Sequence, residues 1–168
     1  DKLDKHTIKT SLPALSDIED AVKAIKKAGY THLLVINISS GLSGTFNAMR
    51  LALNEVEGIE ILQYDTKTLG GGQGFIVEYA LELIEAKTPF DQYPALLDEL
   101  RYKDSMAFYT INTLKYLRAG GRIGRIEGTI GDLLRVKPVI TVNNKGEYVT
   151  LSKAFGLKRS LLKMKDIL

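Results

Sequence analysis

The run Ser39-Ser40-Gly41-Leu42-Ser43-Gly44-Thr45 lies between an apolar stretch of strand length and a stretch with helical spacing. In an open α/β sheet, that place is the crevice at the carboxyl ends of parallel strands, where ligands collect. The first N–H groups of the following helix lack intrahelical partners, and its dipole favours negative charge. An anion is therefore the ligand such a loop suits. Hydroxyls of Ser40, Ser43 and Thr45 can add donors, and Gly41 and Gly44 let a ligand approach the backbone. A plainer alternative makes Ser43 an N-cap and the glycines turn formers. Two serine-glycine steps within seven residues exceed what a cap needs. No Gly-Lys-Ser/Thr follows, so the loop is not a nucleotide-binding P-loop.

Two further segments carry polar or glycine-rich character. Gly70-Gly71-Gly72-Gln73-Gly74 is expected to form a strand-to-helix turn rather than a site. Gly120-Gly121-Arg122-Ile123-Gly124-Arg125 sets two arginines among glycines. A guanidinium fork matches carboxylate or phosphate, although loop arginines are commonly only solvated. No catalytic residue is assigned. The two histidines, His6 and His32, have no ligand or serine at a telling spacing, so neither a metal site nor a nucleophile is expected. Asp65 ends an apolar run, but a lone carboxylate is not an acid–base mechanism. The absence of cysteine excludes disulfides and thiolate chemistry.

The elements that must position the loop follow from periodicity. Ser16 and Glu19 form a capping box before Ile18, Val22 and Ile25, and Gly29 is placed to end that helix. His32–Ile38 is a strand expected to be buried on both faces. Helices are expected over Phe46–Val56 and Phe75–Ala86, and another from Thr88-Pro89 carrying Leu96, Leu97 and Leu100. Ile59–Gln63 and Ser105–Ile111 are expected strands. This alternation predicts an α/β layer with a mostly parallel, doubly wound sheet. Beyond it, Leu114–Leu117 is a short helix stopped by Gly120-Gly121, and Ile123–Leu134 a longer one. Val139–Asn143 and Tyr148–Ser152 flank Asn144-Lys145-Gly146 as a hairpin. A basic helix from Leu157 runs to the last residue.

Composition divides the chain at about Asn112. Residues 1–112 hold 11 basic and 16 acidic side chains, whereas residues 113–168 hold 12 basic and 4 acidic. The expected domains are an α/β domain over 1–112, carrying the Ser/Gly loop, and an incomplete basic α+β portion over 113–168. The basic portion is suited to an anion, an acidic protein or nucleic acid. Nucleic acid is disfavoured because no aromatic interleaving or groove-reading motif accompanies the charge. No apolar run nears the roughly 20 residues of a membrane-crossing helix, and the charged first residues are no secretory signal. Cytoplasm is the expected location by elimination. Both ends look cut, so a piece of a longer protein is expected.

Thr10-Ser-Leu-Pro13, Ile38-Ser-Ser-Gly-Leu-Ser-Gly-Thr45, Asp65-Thr-Lys with Gly72-Gln-Gly74, Leu114-Lys-Tyr-Leu-Arg-Ala-Gly-Gly-Arg-Ile-Gly124 and Leu134-Arg-Val-Lys-Pro138 occur in that order. Together they resemble the DegV family, which includes the fatty-acid-binding subunits of bacterial fatty acid kinases. The resemblance implies two domains enclosing a long-chain fatty acid, with no cofactor and no catalysis by the chain itself. A separate kinase subunit would phosphorylate the lipid carboxylate for phospholipid synthesis. By position, Thr10 and Ser43 match the hydroxyls that hold the carboxyl group, and Arg122 matches an arginine tied to kinase engagement or phosphoryl transfer. Thr10 rests on the resemblance alone. Family members begin with a further strand bearing an Asp-Ser pair and end with a segment supplying a histidine, and Lys153-Ala-Phe-Gly156 is less basic than their version. A phosphosugar-binding enzyme or regulator using the Ser39–Thr45 loop is the alternative.

Overall fold

The computed structural model describes residues 10–124, 126 and 136–167. Helix α1, Leu15–Lys27, buries Ile18 and Val22 and presents charged residues outward. It starts one residue before Ser16, with Ala14 as its cap residue and no side-chain capping bond, so the expected capping box does not form. The Asp17 and Ile18 amides instead donate to the Ala14 carbonyl. Gly29 ends the segment with φ +86°, as the spacing requires.

Strand β1, His32–Asn37, pairs in parallel with β2, Glu60–Asp65, in a register that sets Asn37 beside Asp65. Because both strands end at the same level, the loops that follow them leave side by side. The Ser39 amide donates to the Thr68 carbonyl at 2.9 Å and the Thr66 hydroxyl to the Asn37 carbonyl at 2.8 Å. Most of β1 is half-buried rather than buried on both faces, and among the described residues it pairs with β2 alone. Helix α2, Thr45–Leu53, is tied to the sheet through Gln63, whose amide nitrogen reaches Asn37 Oδ1 at 2.9 Å and the Phe46 carbonyl at 2.7 Å.

Helix α3, Gly70–Glu85, begins inside the glycine cluster expected to be a turn. Close packing explains this. A Cβ on Gly72 would lie 2.6 Å from Thr68 Oγ1 and 2.9 Å from Ala107 Cβ, so the glycine lets the first turn of α3 reach the neighbouring chain. The segment after Pro89 opens as a 3₁₀ turn, Phe90–Gln92, continues as α4, Tyr93–Glu99, and ends in a π turn, Leu100–Asp104. Tyr64, Ile76, Ala80, Leu83, Tyr93 and Leu97 form one core, with Leu96 and Leu100 against it. Burying each such aliphatic side chain contributes about 1.5–3 kcal/mol.

The second sheet is antiparallel, in the order β3 (Phe108–Thr110), β4 (Val136–Val142), β5 (Tyr148–Phe155). The expected strand over Ser105–Ile111 is shorter and pairs with β4 rather than with the parallel pair. The expected hairpin is present, with Val142 opposite Tyr148. Helix α5, Lys115–Ala119, stops at Gly120. Helix α6, Leu157–Lys165, is closed by Asp166 and so does not run to the last residue. Its Ser160 hydroxyl donates to Thr110 Oγ1 at 2.7 Å. The helix expected over Ile123–Leu134 lies largely outside the described residues. The chain is thus a mixed α/β fold, with a parallel layer followed by an antiparallel sheet.

Candidate functional site

The Ser39–Thr45 loop is held from both sheets. On the parallel side, the Ser40 amide donates to Asp65 Oδ1 at 3.1 Å. On the antiparallel side, the buried Ser39 hydroxyl donates to the Gly146 carbonyl at 2.7 Å and accepts from the Gly41 amide at 3.1 Å. Leu42 is buried in the second core beside Ile123, Ile140 and Tyr148. The loop therefore bridges the two sheets, and its conformation depends on both.

At its far end the loop feeds α2. Gly44 is the cap residue, with φ −72°, so its backbone makes no demand for glycine. A Cβ there would come 3.4 Å from the Leu12 side chain, an ordinary contact, so a small side chain fits at Gly44 without displacing backbone. Ser43 stands one residue before the cap. Its hydroxyl accepts the Thr45 amide at 3.2 Å and lies 2.8 Å from the Thr45 hydroxyl. One hydrogen joins the two hydroxyls, which leaves the other hydroxyl hydrogen available to an external acceptor.

Thr10, Ser43, Thr45 and Arg122 line one cavity of about 660 Å³. Leu12, Ile38, Leu42, Leu117 and Tyr148 supply its apolar walls. Its volume is in the range of about 300–1,000 Å³ typical of small-molecule sites. Arg122 is the one formal charge among the described lining residues, and its sign suits an anion. The Arg122 Nε donates to the Leu42 carbonyl at 3.2 Å and its Nη1 to the Gly120 carbonyl at 2.6 Å. Ser40 is not in this lining, because its hydroxyl accepts from Lys67 Nζ at 2.8 Å on the Asp65 side. A larger groove of about 940 Å³ runs past Leu69, Phe75 and Met106, but Glu78, Glu82 and Asp104 line it against the single guanidinium of Arg101, which is bound to the Thr66 and Lys67 carbonyls, so its described lining is net acidic and disfavours a carboxylate. The smaller, hydroxyl-lined cavity is the better anion site.

Asp65 carries the strongest electrostatic signature near the loop. Burial pushes its carboxyl up, but the Lys67 ammonium and hydrogen bonds from Ser40 and Lys67 outweigh this and hold it below the usual carboxylate range. The Lys67 Nζ lies 2.7 Å from Asp65 Oδ2. A carboxyl whose folded pKa is depressed stabilises the fold above its unfolded pKa, and that contribution is lost as pH falls through the folded value. Acid titration of the melting temperature is therefore expected to show a gap between the parent and Asp65→Asn near neutral pH that closes on acidification. A gap constant across the titration would remove Asp65 from the pH response.

Ser39, Leu42, Gly146 and Leu12 are not singled out as site residues by spacing. Their partners are remote in sequence; the Ser39–Gly146 bond alone spans 107 residues. Among the described residues, no cluster of three or more His, Asp or Glu is placed to hold a metal ion. Likewise, no described helix is long and apolar enough to cross a membrane.

A parallel α/β layer is thus joined to an antiparallel sheet, with a hydroxyl-lined cavity beside the joining loop. The chain belongs to the DegV family: it matches the family model described as "Uncharacterised protein, DegV family" over residues 1–168. It is 43% identical over 159 residues to a DegV domain-containing protein of Clostridium perfringens, covering 95% of this chain and 56% of that protein. It is 31% identical over 154 residues to a protein of Thermotoga maritima named fatty acid-binding protein, covering 91% of this chain and 53% of that one. The crystal structure of a fatty acid binding DegV family protein from Streptococcus agalactiae superposes with a TM-score of 0.85 at 31% identity, covering 95% of this chain and 56% of that one. The chain thus spans about half the length of these relatives.

Proposed function

We propose that this chain binds a long-chain fatty acid without covalent chemistry, with the carboxylate at Thr10, Ser43 and Thr45. The observation that carries this reading is the cavity itself: among its described lining residues are the hydroxyls of Thr10, Ser11, Ser43, Thr45, Tyr116 and Tyr148, one guanidinium and no carboxylate, with apolar walls in a single volume. A carboxylate accepts hydrogen bonds from hydroxyls, while the acyl chain gains about 0.8 kcal/mol for each methylene it buries. Relatives named for fatty-acid binding support the same ligand class.

The reading extends to a partner. A carboxylate held by hydroxyls keeps an oxygen free to attack a phosphate, so the chain presents the lipid to a separate kinase subunit in the cytoplasm. In this division of work the loop within residues 1–112 holds the carboxylate, and the basic residues of 113–168 face the acidic or phosphate-bearing partner.

Extraction of the purified protein followed by mass spectrometry is the direct test of the ligand. A stoichiometric fatty acid is the expected result. A polar phosphate ester in its place would turn the same loop into a phosphosugar site and sink the proposal.

Arg122 gives a test of the partner role. Arg122 gives the cavity its positive sign, but its side chain is exposed and solvent screens that charge, so the hydroxyls carry most of the carboxylate's binding. Arg122→Ala is expected to keep palmitate affinity within about threefold while lowering acyl-phosphate formation with the kinase subunit. Its bonds to the Leu42 and Gly120 carbonyls define the competing outcome. If melting temperature and affinity fall together, Arg122 braces the cavity wall and does not serve the partner.

A further inference from the structure

The turn after β2 is built in a costly way. Lys67 has φ +48°, a left-handed conformation that disfavours long side chains and that glycine or asparagine adopts at lower cost. Arg101, itself buried, holds this turn by donating Nε to the Thr66 carbonyl at 2.9 Å and Nη2 to the Lys67 carbonyl at 2.8 Å. Strain of this kind persists where the surroundings over-determine it, and it clusters at ligand clamps. In this geometry the Lys67 ammonium reaches both Asp65 Oδ2, at 2.7 Å, and the Ser40 hydroxyl, at 2.8 Å. The Asp65 Oδ1 meanwhile accepts from the Ser40 and Lys67 amides, each at 3.1 Å. One carboxylate and one ammonium thus grip both the backbone and the side chain of Ser40, three residues before Ser43.

We infer that Asp65 and Lys67 are positioning residues for the anion-binding loop, acting through Ser40 rather than touching the ligand. The assignment of the ligand as a fatty acid rests on the proposal above; the clamp rests on these contacts. The lysine is what the clamp requires at a position where the backbone alone would be better served by glycine. Asp65 sets the height of the loop through the Ser40 amide, and Lys67 fixes its rotation through the Ser40 hydroxyl.

Lys67→Gly separates this role from a structural one, because glycine suits the φ while removing the ammonium; Lys67→Asn is a second variant that tolerates the same backbone. Without ligand, the amide NMR signals of Ser40, Ser43 and Thr45 are expected to shift in Lys67→Gly. Palmitate affinity by calorimetry should weaken about tenfold, with melting temperature moved by only a few degrees, because relief of the left-handed strain at position 67 offsets part of the lost ion pair. Unmoved amide signals, or parent-like palmitate affinity in a parent that does bind palmitate, would overturn the clamp. So would melting losses in both variants that parallel the lost affinity, since the pair would then merely hold the fold. Shifted amides in a protein whose parent form binds no palmitate would leave the clamp standing and overturn the fatty-acid reading instead.

Discussion

Gly146→Ala is expected to melt roughly 6–12 °C below the parent and to lose palmitate binding with the fold still formed at low temperature. Gly146 sits in the β4–β5 turn with φ +80°, where a Cβ costs about 1–2 kcal/mol. That Cβ would also lie 2.0 Å from Ser39 Oγ, with Lys67 Cδ at 3.1 Å. Ser39 cannot move away without breaking its bonds to the Gly146 carbonyl and the Gly41 amide. Each buried group left unpaired adds about 1–3 kcal/mol. The contact is tight in both directions, since a Cβ on Gly41 would lie 2.5 Å from the Gly146 carbonyl oxygen. Differential scanning calorimetry on Gly146→Ala and on Lys145→Ala, its exposed neighbour, gives the comparison. Lys145→Ala should stay within about 0.5 kcal/mol of the parent. The double variant Ser39→Ala/Gly146→Ala should regain part of the loss, because the shorter side chain removes the oxygen at the point of clash. A Gly146→Ala protein that melts with the parent would show that the hairpin does not press on the loop.

Local signals were enough to place the loop and most elements around it. The clustering of serine, glycine and threonine between an apolar run and a helical pattern marks the loop that the structure places between the two sheets. Asn144-Lys145-Gly146 announced the hairpin, because a three-residue turn of this kind needs glycine at its left-handed position. Contacts that join distant segments were not legible in the same way. Leu42 reads as one apolar residue in a polar loop, and only the fold shows it anchored among Ile123, Ile140 and Tyr148. Asp65 looked like a lone carboxylate because its partners Ser40 and Lys67 become neighbours only when β1 and β2 pair in register. Capping signals misled in α1, where Ala14 accepts the first amides, and the glycines of α3 looked like a breaker because their packing against Thr68 and Ala107 leaves no trace in composition. Thr10 had no signal of its own beyond family resemblance. It lines the cavity because the segment leading to α1 passes in front of the loop, with Leu12 against Gly44.

Ser43→Ala is expected to weaken palmitate binding by about 10- to 100-fold, the equivalent of one hydrogen bond of about 1.5–3 kcal/mol to a charged acceptor. The hydroxyl is only partly buried, and the α2 amide it accepts from can turn to water, so the melting temperature should move by no more than a few degrees. Ser43 and Thr45 share one hydrogen bond at 2.8 Å, which makes them a unit. Removing Ser43 leaves the Thr45 hydroxyl free to rotate, and removing Thr45 does the same to Ser43. The two single losses and the double loss in Ser43→Ala/Thr45→Val are therefore expected to be far from additive, as for any pair in direct contact. Ser43→Thr, which keeps an oxygen in place, should retain most of the affinity. Isothermal titration with palmitate across these four variants resolves the role of the pair. Parent-like affinity in Ser43→Ala would reduce Ser43 to a support for the start of α2, and additive losses would mean that each hydroxyl meets the carboxylate alone.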